Sequence, residues 1–136
     1  MEVKAPFEKL LGLTILEARR DFARIMMPYK AELTNPSGVI HGGAISSLAD
    51  TSIAVALGTV YSHGGFYTAE FEIHFKAPAR NDLFAEAHII RKKLNLYIYH
   101  VKVMDTENKL IAIAWGKYLV PKNGKTSFQK QSQRPQ

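Results

Sequence analysis

Residues 42–60 read GGAISSLADTSIAVALGTV. Ile45, Leu48, Ala49, Ser52, Ile53, Ala56, Leu57 and Val60 recur there at steps of three and four. They form one small-and-apolar stripe over about four turns, which predicts an amphipathic helix. The run just before it, TNPSGVIHGG at 34–43, gathers Asn, Pro, Ser and Gly, the residues of turns and helix entries. Just after it, Ser62-His63-Gly64-Gly65 supplies a stop and a loop.

Beyond the glycines the period changes to two. Glu70 to Lys76 alternate strictly, which predicts a strand with Phe71, Ile73 and Phe75 facing a core. Three further β-rich runs follow, Leu83 to Lys93, Leu96 to Met104 and Leu110 to Val120, parted by short turns at Leu94-Asn95 and Thr106 to Lys109. Upstream of the helix, Pro6 to Leu11 is a short amphipathic opening. Leu13 to Met27, broken by Arg19-Arg20-Asp21, predicts a β-hairpin. The order hairpin, one long helix, four antiparallel strands is an α+β pattern in which the helix buries its stripe against one face of a curved sheet.

The chain has 136 residues, 46% hydrophobic and 22% charged, which suits one globular domain and excludes collagen-like, disordered and coiled-coil classes. The expected organisation is a domain over residues 1–120 and a basic tail over 121–136. The absence of cysteine removes disulfide scaffolds, Cys-based zinc sites, Fe–S clusters and thiol nucleophiles, and suits a reducing compartment. With no signal-like apolar core at the start and no run long enough to span a bilayer, the expectation is a cytoplasmic protein without membrane association.

The net charge is +6, but Lys117 to Gln136 holds five bases and no acids, leaving 13 bases against 12 acids before it. Residues 31–75 contain no Lys or Arg and four acids, Glu32, Asp50, Glu70 and Glu72. A nucleic-acid partner is therefore not expected. The five histidines, His41, His63, His74, His88 and His100, show no close metal-ligand spacing, so no metal is expected either.

Asp50 is the odd residue of the helix. At about 100° per residue from Ile45, it falls near about 140°, against a stripe centred near about 30°, so it lies just outside the stripe's margin. A solvated Asp would sit there too. Around it, however, Gly42, Gly43, Ala44, Ser46, Ser47 and Ala49 leave the first two turns bare enough for a close approach. Gly42 and Gly43 also open the helix, where free N–H groups favour developing negative charge. An amide donor and a carboxylate on one element are the parts that acyl hydrolysis needs.

The residues Asn35-Pro36-Ser37-Gly38-Val39-Ile40-His41-Gly42-Gly43, followed by Ser47-Leu48-Ala49-Asp50, resemble the signature of hotdog-fold acyl-CoA thioesterases of the phenylacetate-degradation type. The similarity extends to element order from Leu13 to Val120, with Phe75-Lys76-Ala77-Pro78-Ala79 ending the strand after the helix. What it implies is a hotdog fold, an antiparallel sheet wrapped round one long central helix, with subunits paired edge to edge and sites formed across the dimer interface. It further implies that Asp50 is the general base or nucleophile, that the Gly42 N–H polarises the thioester carbonyl, and that Asn35 and His41 position substrate or water. Thr68, eighteen residues after Asp50, matches a position where some members carry a serine that helps hold the water. Asn35, His41 and Gly42 would come from one subunit, Asp50 and Thr68 from the other.

On this reading the substrate is an acyl-CoA, with CoA as part of the substrate and no separate cofactor. Lys76, Arg80, Arg91, Lys92 and Lys93 are candidates for its phosphates. Ile45, Leu48, Ala54, Tyr61, Phe66 and Tyr67 are candidates for the acyl wall, each also explicable as core. Open sheet edges predict a homodimer at least, and stacking into a homotetramer is expected. Other readings are a non-catalytic acyl-CoA sensor on the same fold, a dehydratase using His41 with Asp50, and a nucleic-acid binder acting through the tail.

Overall fold

The stripe of residues 42–60 is buried as a unit. The computed structural model describes residues 5–121. In it the long helix α2 runs Gly42–Gly58 after a short helix α1 (Pro6–Leu11) and the hairpin β1 (Thr14–Arg19) and β2 (Phe22–Met27). Ile45, Leu48, Ala49, Ser52, Ile53, Ala56 and Leu57 are all buried on α2, and Ala44 joins them. Val60 lies beyond the helix end yet still packs on the core. The one polar member, Ser52, returns its hydroxyl proton to the Ala49 carbonyl at 2.6 Å, so it sits among apolar neighbours without an unpaired group.

Four strands follow: β3 (Tyr67–Phe75), β4 (Leu83–Lys93), β5 (Leu96–Asp105) and β6 (Leu110–Leu119). The sheet is antiparallel in the order β1-β2-β4-β5-β6-β3. Its inner face packs α2 against Ile25, Met27, Leu83, Ala85, Ala87, Tyr99, Val101, Val103, Ala112 and Ala114, all buried. The α+β hotdog arrangement expected from the sequence is therefore what the chain adopts. Among the described residues no helix is long and apolar enough to cross a membrane. The expected basic tail lies outside the described residues apart from Pro121, whose carbonyl accepts a 3.4 Å bond from the Tyr61 hydroxyl.

Phe75 departs from the reading. Alternation assigns it to the core with Phe71 and Ile73, but it is 50% exposed, whereas those two are half-buried. The period-two pattern names a face, and β3 is an edge strand: at its end the Phe75 ring rests beside Gly42 at the start of α2, which covers only part of it.

Asp21 ties three elements together. It occupies the tip of the β1–β2 turn with φ 56°. Its amide donates to Thr59 Oγ1 at 2.9 Å just past α2, and its carboxylate accepts from the Tyr99 hydroxyl of β5 at 2.5 Å. Burial, then Asp21, push the Tyr99 phenol far above its ordinary range, so it stays a donor.

The outer face of the sheet carries a row of rings. His88 of β4 is the register partner of His100 of β5, which is partnered in turn by Trp115 of β6. Both pairs have centroids 5.3 Å apart, and His74 of β3, paired with Glu72 at 2.6 Å, meets Trp115 at 5.5 Å. Burial, then His88 and Lys102, hold His100 below its usual 6.5. A histidine whose folded pKa is depressed takes up its proton more readily when unfolded, so its contribution is present above the unfolded value and lost as pH falls through the folded one. Urea midpoints measured from pH 7 down to pH 5 should therefore fall less steeply for His100→Gln than for the native chain.

Candidate active site

Asn35 shapes the loop that leads into α2. Its side-chain oxygen accepts from the Ser37 amide at 2.9 Å and the Val39 amide at 3.4 Å, and its own amide donates to the Val39 carbonyl at 2.8 Å. This Asx-type closure places Gly38 at φ 79°, a left-handed conformation natural to glycine. The loop is anchored at both ends, Ile40 N–H to the Ala79 carbonyl at 2.9 Å and His41 N–H to the Leu33 carbonyl at 2.7 Å.

His41 is the N-cap of α2. Its backbone is extended (φ −60°, ψ 137°), its carbonyl accepts from Ala44 and Ile45, and its Nδ1 accepts from the Gly43 amide at 2.8 Å. With Nδ1 accepting, Nε2 carries the ring proton and is left to donate. The Gly42 amide, first in the helix, has no hydrogen-bond partner among the described residues. A Cβ at Gly42 would stand 3.2 Å from the Phe75 ring, so the exposed end of β3 lies against the helix entry. A groove of about 230 Å³ opens beside it, walled by Phe7, Leu11, Leu33, His41, Gly43 and Ser47 among others.

Asp50 lies two turns further on, half-buried. Thr68 Oγ1 stands 3.0 Å from its Oδ1 and 3.4 Å from its Oδ2. The Tyr118 hydroxyl makes a short bond to the same Oδ1 and lies 2.9 Å from the Asp50 carbonyl oxygen. Thr68 and Tyr118 are direct register partners across β3 and β6, just before a bulge between Thr68 and Glu70. Burial, then the Asp50 charge, raise the Tyr118 phenol far above its ordinary range. The cluster brings together an oriented carboxylate and two hydroxyl donors, a set able to take a proton or attack a carbonyl carbon.

The structure thus joins Asp50 to Thr68 as the resemblance implies, and groups Asn35, His41 and Gly42 at the helix entry. Asp50 stands eight positions after Gly42 on the helix, a rise of about 12 Å, too far for both to touch one carbonyl group. Tyr118 was missed by sequence reasoning. Its signal was the inward register of Ala112, Ala114, Gly116 and Tyr118, small residues closed by one large ring with a polar tip.

The candidates for the acyl wall divide. Ile45 and Leu48 are sealed in the core (3% and 0% exposed) and form no wall within the subunit, because their side of the helix faces the sheet. Tyr61 and Phe66 pack edge to face at 6.4 Å, and Phe66 reaches the Tyr118 ring at 6.1 Å, which puts this pair beside Asp50. Ala54 is half-buried and Tyr67 exposed. Lys76, Arg80, Arg91, Lys92 and Lys93 are all exposed. They lie at opposite ends of β4: Lys76 and Arg80 near the helix entry through the Ile40–Ala79 bond, and Arg91 to Lys93 at the end where Lys93 pairs with Leu96. Lys92 sits over the Tyr97 ring at 5.1 Å.

Comparison with known proteins decides the family. The profile of the Thioesterase superfamily matches residues 37–112, a span that holds His41, Gly42, Asp50 and Thr68. The chain belongs to the thioesterase superfamily. Within it, the Escherichia coli (strain K12) acyl-coenzyme A thioesterase PaaI is 30% identical over 112 residues, covering 80% of this chain and 78% of that protein. The solved structure of the E. coli PaaI protein from the phenylacetic acid degradation operon aligns with a TM-score of 0.81 at 25% identity, over 90% of this chain and 89% of that one. The structure of a conserved protein from Pseudomonas aeruginosa aligns at 0.78 and 25% identity, over 85% and 93%. Superfamily membership makes this chain a PaaI-like hotdog thioesterase, a hydrolase acting on a small-molecule substrate.

Proposed function

We propose that the protein hydrolyses an acyl-CoA thioester to the free acid and CoA, in sites built from two copies of the chain. The observation that carries this reading is the separation of parts along α2: a Gly42 amide at its start, unpartnered among the described residues, and a hydroxyl-held Asp50 about 12 Å further on. Both meet one thioester only if Gly42 comes from one protomer and Asp50 from its partner. The strand β3, which carries Thr68, is an edge of the sheet among the described residues and able to pair with its own copy. A homodimer is then the smallest competent unit, and two dimers stack as a homotetramer.

The thioester carbonyl oxygen takes the Gly42 N–H, where the positive end of the helix stabilises the charge that develops on it. Asn35 and His41 position substrate or water from the same side, His41 through its Nε2–H. Asp50 acts either as base or as nucleophile. As base it takes a proton from water while the water oxygen bonds to the carbonyl carbon, the C–S bond breaks, and the sulfur leaves with a proton as CoA thiol. As nucleophile an Asp50 oxygen bonds to the carbonyl carbon while the C–S bond breaks and CoA leaves as thiolate; water then adds to the resulting acyl anhydride, freeing the acid and the Asp50 carboxylate and giving its proton to the thiolate. A thioester's weak resonance and good leaving group suit so small a set of groups, and CoA enters as part of the substrate. Phe7, Leu11 and Leu33 at the helix entry, and Tyr61 with Phe66 near Asp50, offer apolar surface to the acyl chain or pantetheine arm. Lys76, Arg80, Arg91, Lys92 and Lys93 are the bases available to CoA phosphates.

Thiol release from a panel of aryl and aliphatic acyl-CoAs, run beside matched oxygen esters, tests the assignment. CoA thioesters should be turned over with a clear preference. Binding without release of thiol would make the protein an acyl-CoA sensor, and turnover of oxygen esters alone would remove CoA from the reading.

A further inference from the structure

We propose that Tyr118 is a positioning residue for this reaction: with Thr68 it holds the Asp50 carboxylate by Oδ1 and leaves Oδ2 as the oxygen that reacts. The inference rests on Asp50 being the reacting carboxylate and adds to that reading a residue and a choice of atom.

Oδ1 receives the short bond from Tyr118 and the 3.0 Å bond from Thr68, whereas among the described residues Oδ2 has only the 3.4 Å approach of the same threonine. A phenol has one proton, and two acceptors stand near it, the Asp50 carbonyl at 2.9 Å and Oδ1. The charge-assisted bond to the carboxylate is the stronger, so the proton goes to Oδ1. Two donors on one oxygen stop the carboxylate from rotating about its last bond, and a fixed lone pair on Oδ2 is what a near-attack geometry requires.

The donors are themselves fixed. Tyr118 is 3% exposed, its ring rests against Phe66 at 6.1 Å, and the bare Gly116 lies alongside, where an added Cβ would stand 3.5 Å from the tyrosine ring. Register pairs Tyr118 with Thr68, so neighbouring strands deliver both hydroxyls to the same point. Because burial and the Asp50 charge keep the phenol protonated, the donor persists across the working pH range.

The test compares native protein with Tyr118→Phe by steady-state kinetics across pH and by 13C NMR of the Asp50 carboxyl carbon. Loss of a hydrogen bond to a charged group should lower kcat about tenfold or more, with KM changed by less than about threefold. An anion stripped of a donor is protonated more easily, so the acid limb of kcat/KM and the NMR midpoint of Asp50 should both move to higher pH. A folded Tyr118→Phe protein with neither movement overturns the proposal. Should phenylalanine fail to fold, 3-fluorotyrosine at 118 is a stronger donor of nearly the same shape and should move the Asp50 midpoint to lower pH; no movement overturns the proposal equally. If no acyl-CoA is hydrolysed by the native protein, the hydrolase reading fails, while the NMR midpoints still decide whether Tyr118 governs Asp50.

Discussion

Asp50→Asn should lower acyl-CoA turnover by at least ~10²-fold and leave the chain folded. Asparagine has the same shape and keeps an oxygen able to accept from Thr68 and Tyr118, but it neither takes a proton from water nor attacks a carbonyl carbon. Asp50→Ala should lose as much activity. It strands fewer groups than its burial suggests, because the Tyr118 hydroxyl still has the residue-50 carbonyl at 2.9 Å to donate to. Thiol-release rates with melting curves on both variants check this; full activity in either rejects Asp50 as the reacting group. The Asp50→Asn variant also tests assembly. Proline at the first helical position removes the N–H and keeps the helix, its Cβ asking only a small shift of the exposed Phe75 ring 3.2 Å away, so Gly42→Pro should be inactive. Mixing it with Asp50→Asn by unfolding and refolding should restore about a quarter of native activity, since half of a random dimer population is mixed and each mixed dimer holds one intact site. No recovery would place both groups in one subunit's site.

Ile53→Ala should cost about 2–5 kcal/mol of stability. Ile53 is fully buried at the middle of α2, and its Cδ1 occupies the space left by the missing side chain of Gly116: a Cβ there would lie 2.5 Å from it. Truncation opens a cavity between helix and β6 that rigid strands close poorly. The same contact can be approached from the other side. Gly116→Ala should overpack by about 1–3 kcal/mol, and combining it with Ile53→Val, which deletes the offending methyl, should cost less than the two changes summed. Urea denaturation of the four proteins measures the coupling; strict additivity would mean that helix and strand do not meet there.

The helix was legible because its stripe is long and its period unbroken, and Asp50 was legible as the residue that breaks the stripe's edge. Asn35, His41, Gly42 and Thr68 carried meaning chiefly through the resemblance, since an Asx turn and an N-cap look alike whether or not they serve a substrate. Tyr118 was hidden by distance: sixty-eight residues separate it from Asp50, and only the β3–β6 pairing brings the two hydroxyls together. Phe75 was misplaced for a related reason. Alternation reports the side of a strand, whereas exposure depends on strand order, and here β2 neighbours β4 and β6 neighbours β3. Ile45 and Leu48 failed as pocket wall because a stripe that faces the sheet has no surface left to offer a ligand. The CoA candidates could not be ranked from sequence because an exposed base looks the same whether it meets solvent, a ring such as Tyr97 under Lys92, or a phosphate.

The position of β6 as the last strand of the described chain bears on how the protein matures. A nascent chain that has emerged only through β5 has its central helix and its carboxylate but not the phenol that steadies it, nor the partner strand that sets the threonine opposite. On the proposed reading the acid is steadied only once β6 docks beside β3, so hydrolytic competence waits on that one pairing rather than accumulating along the way.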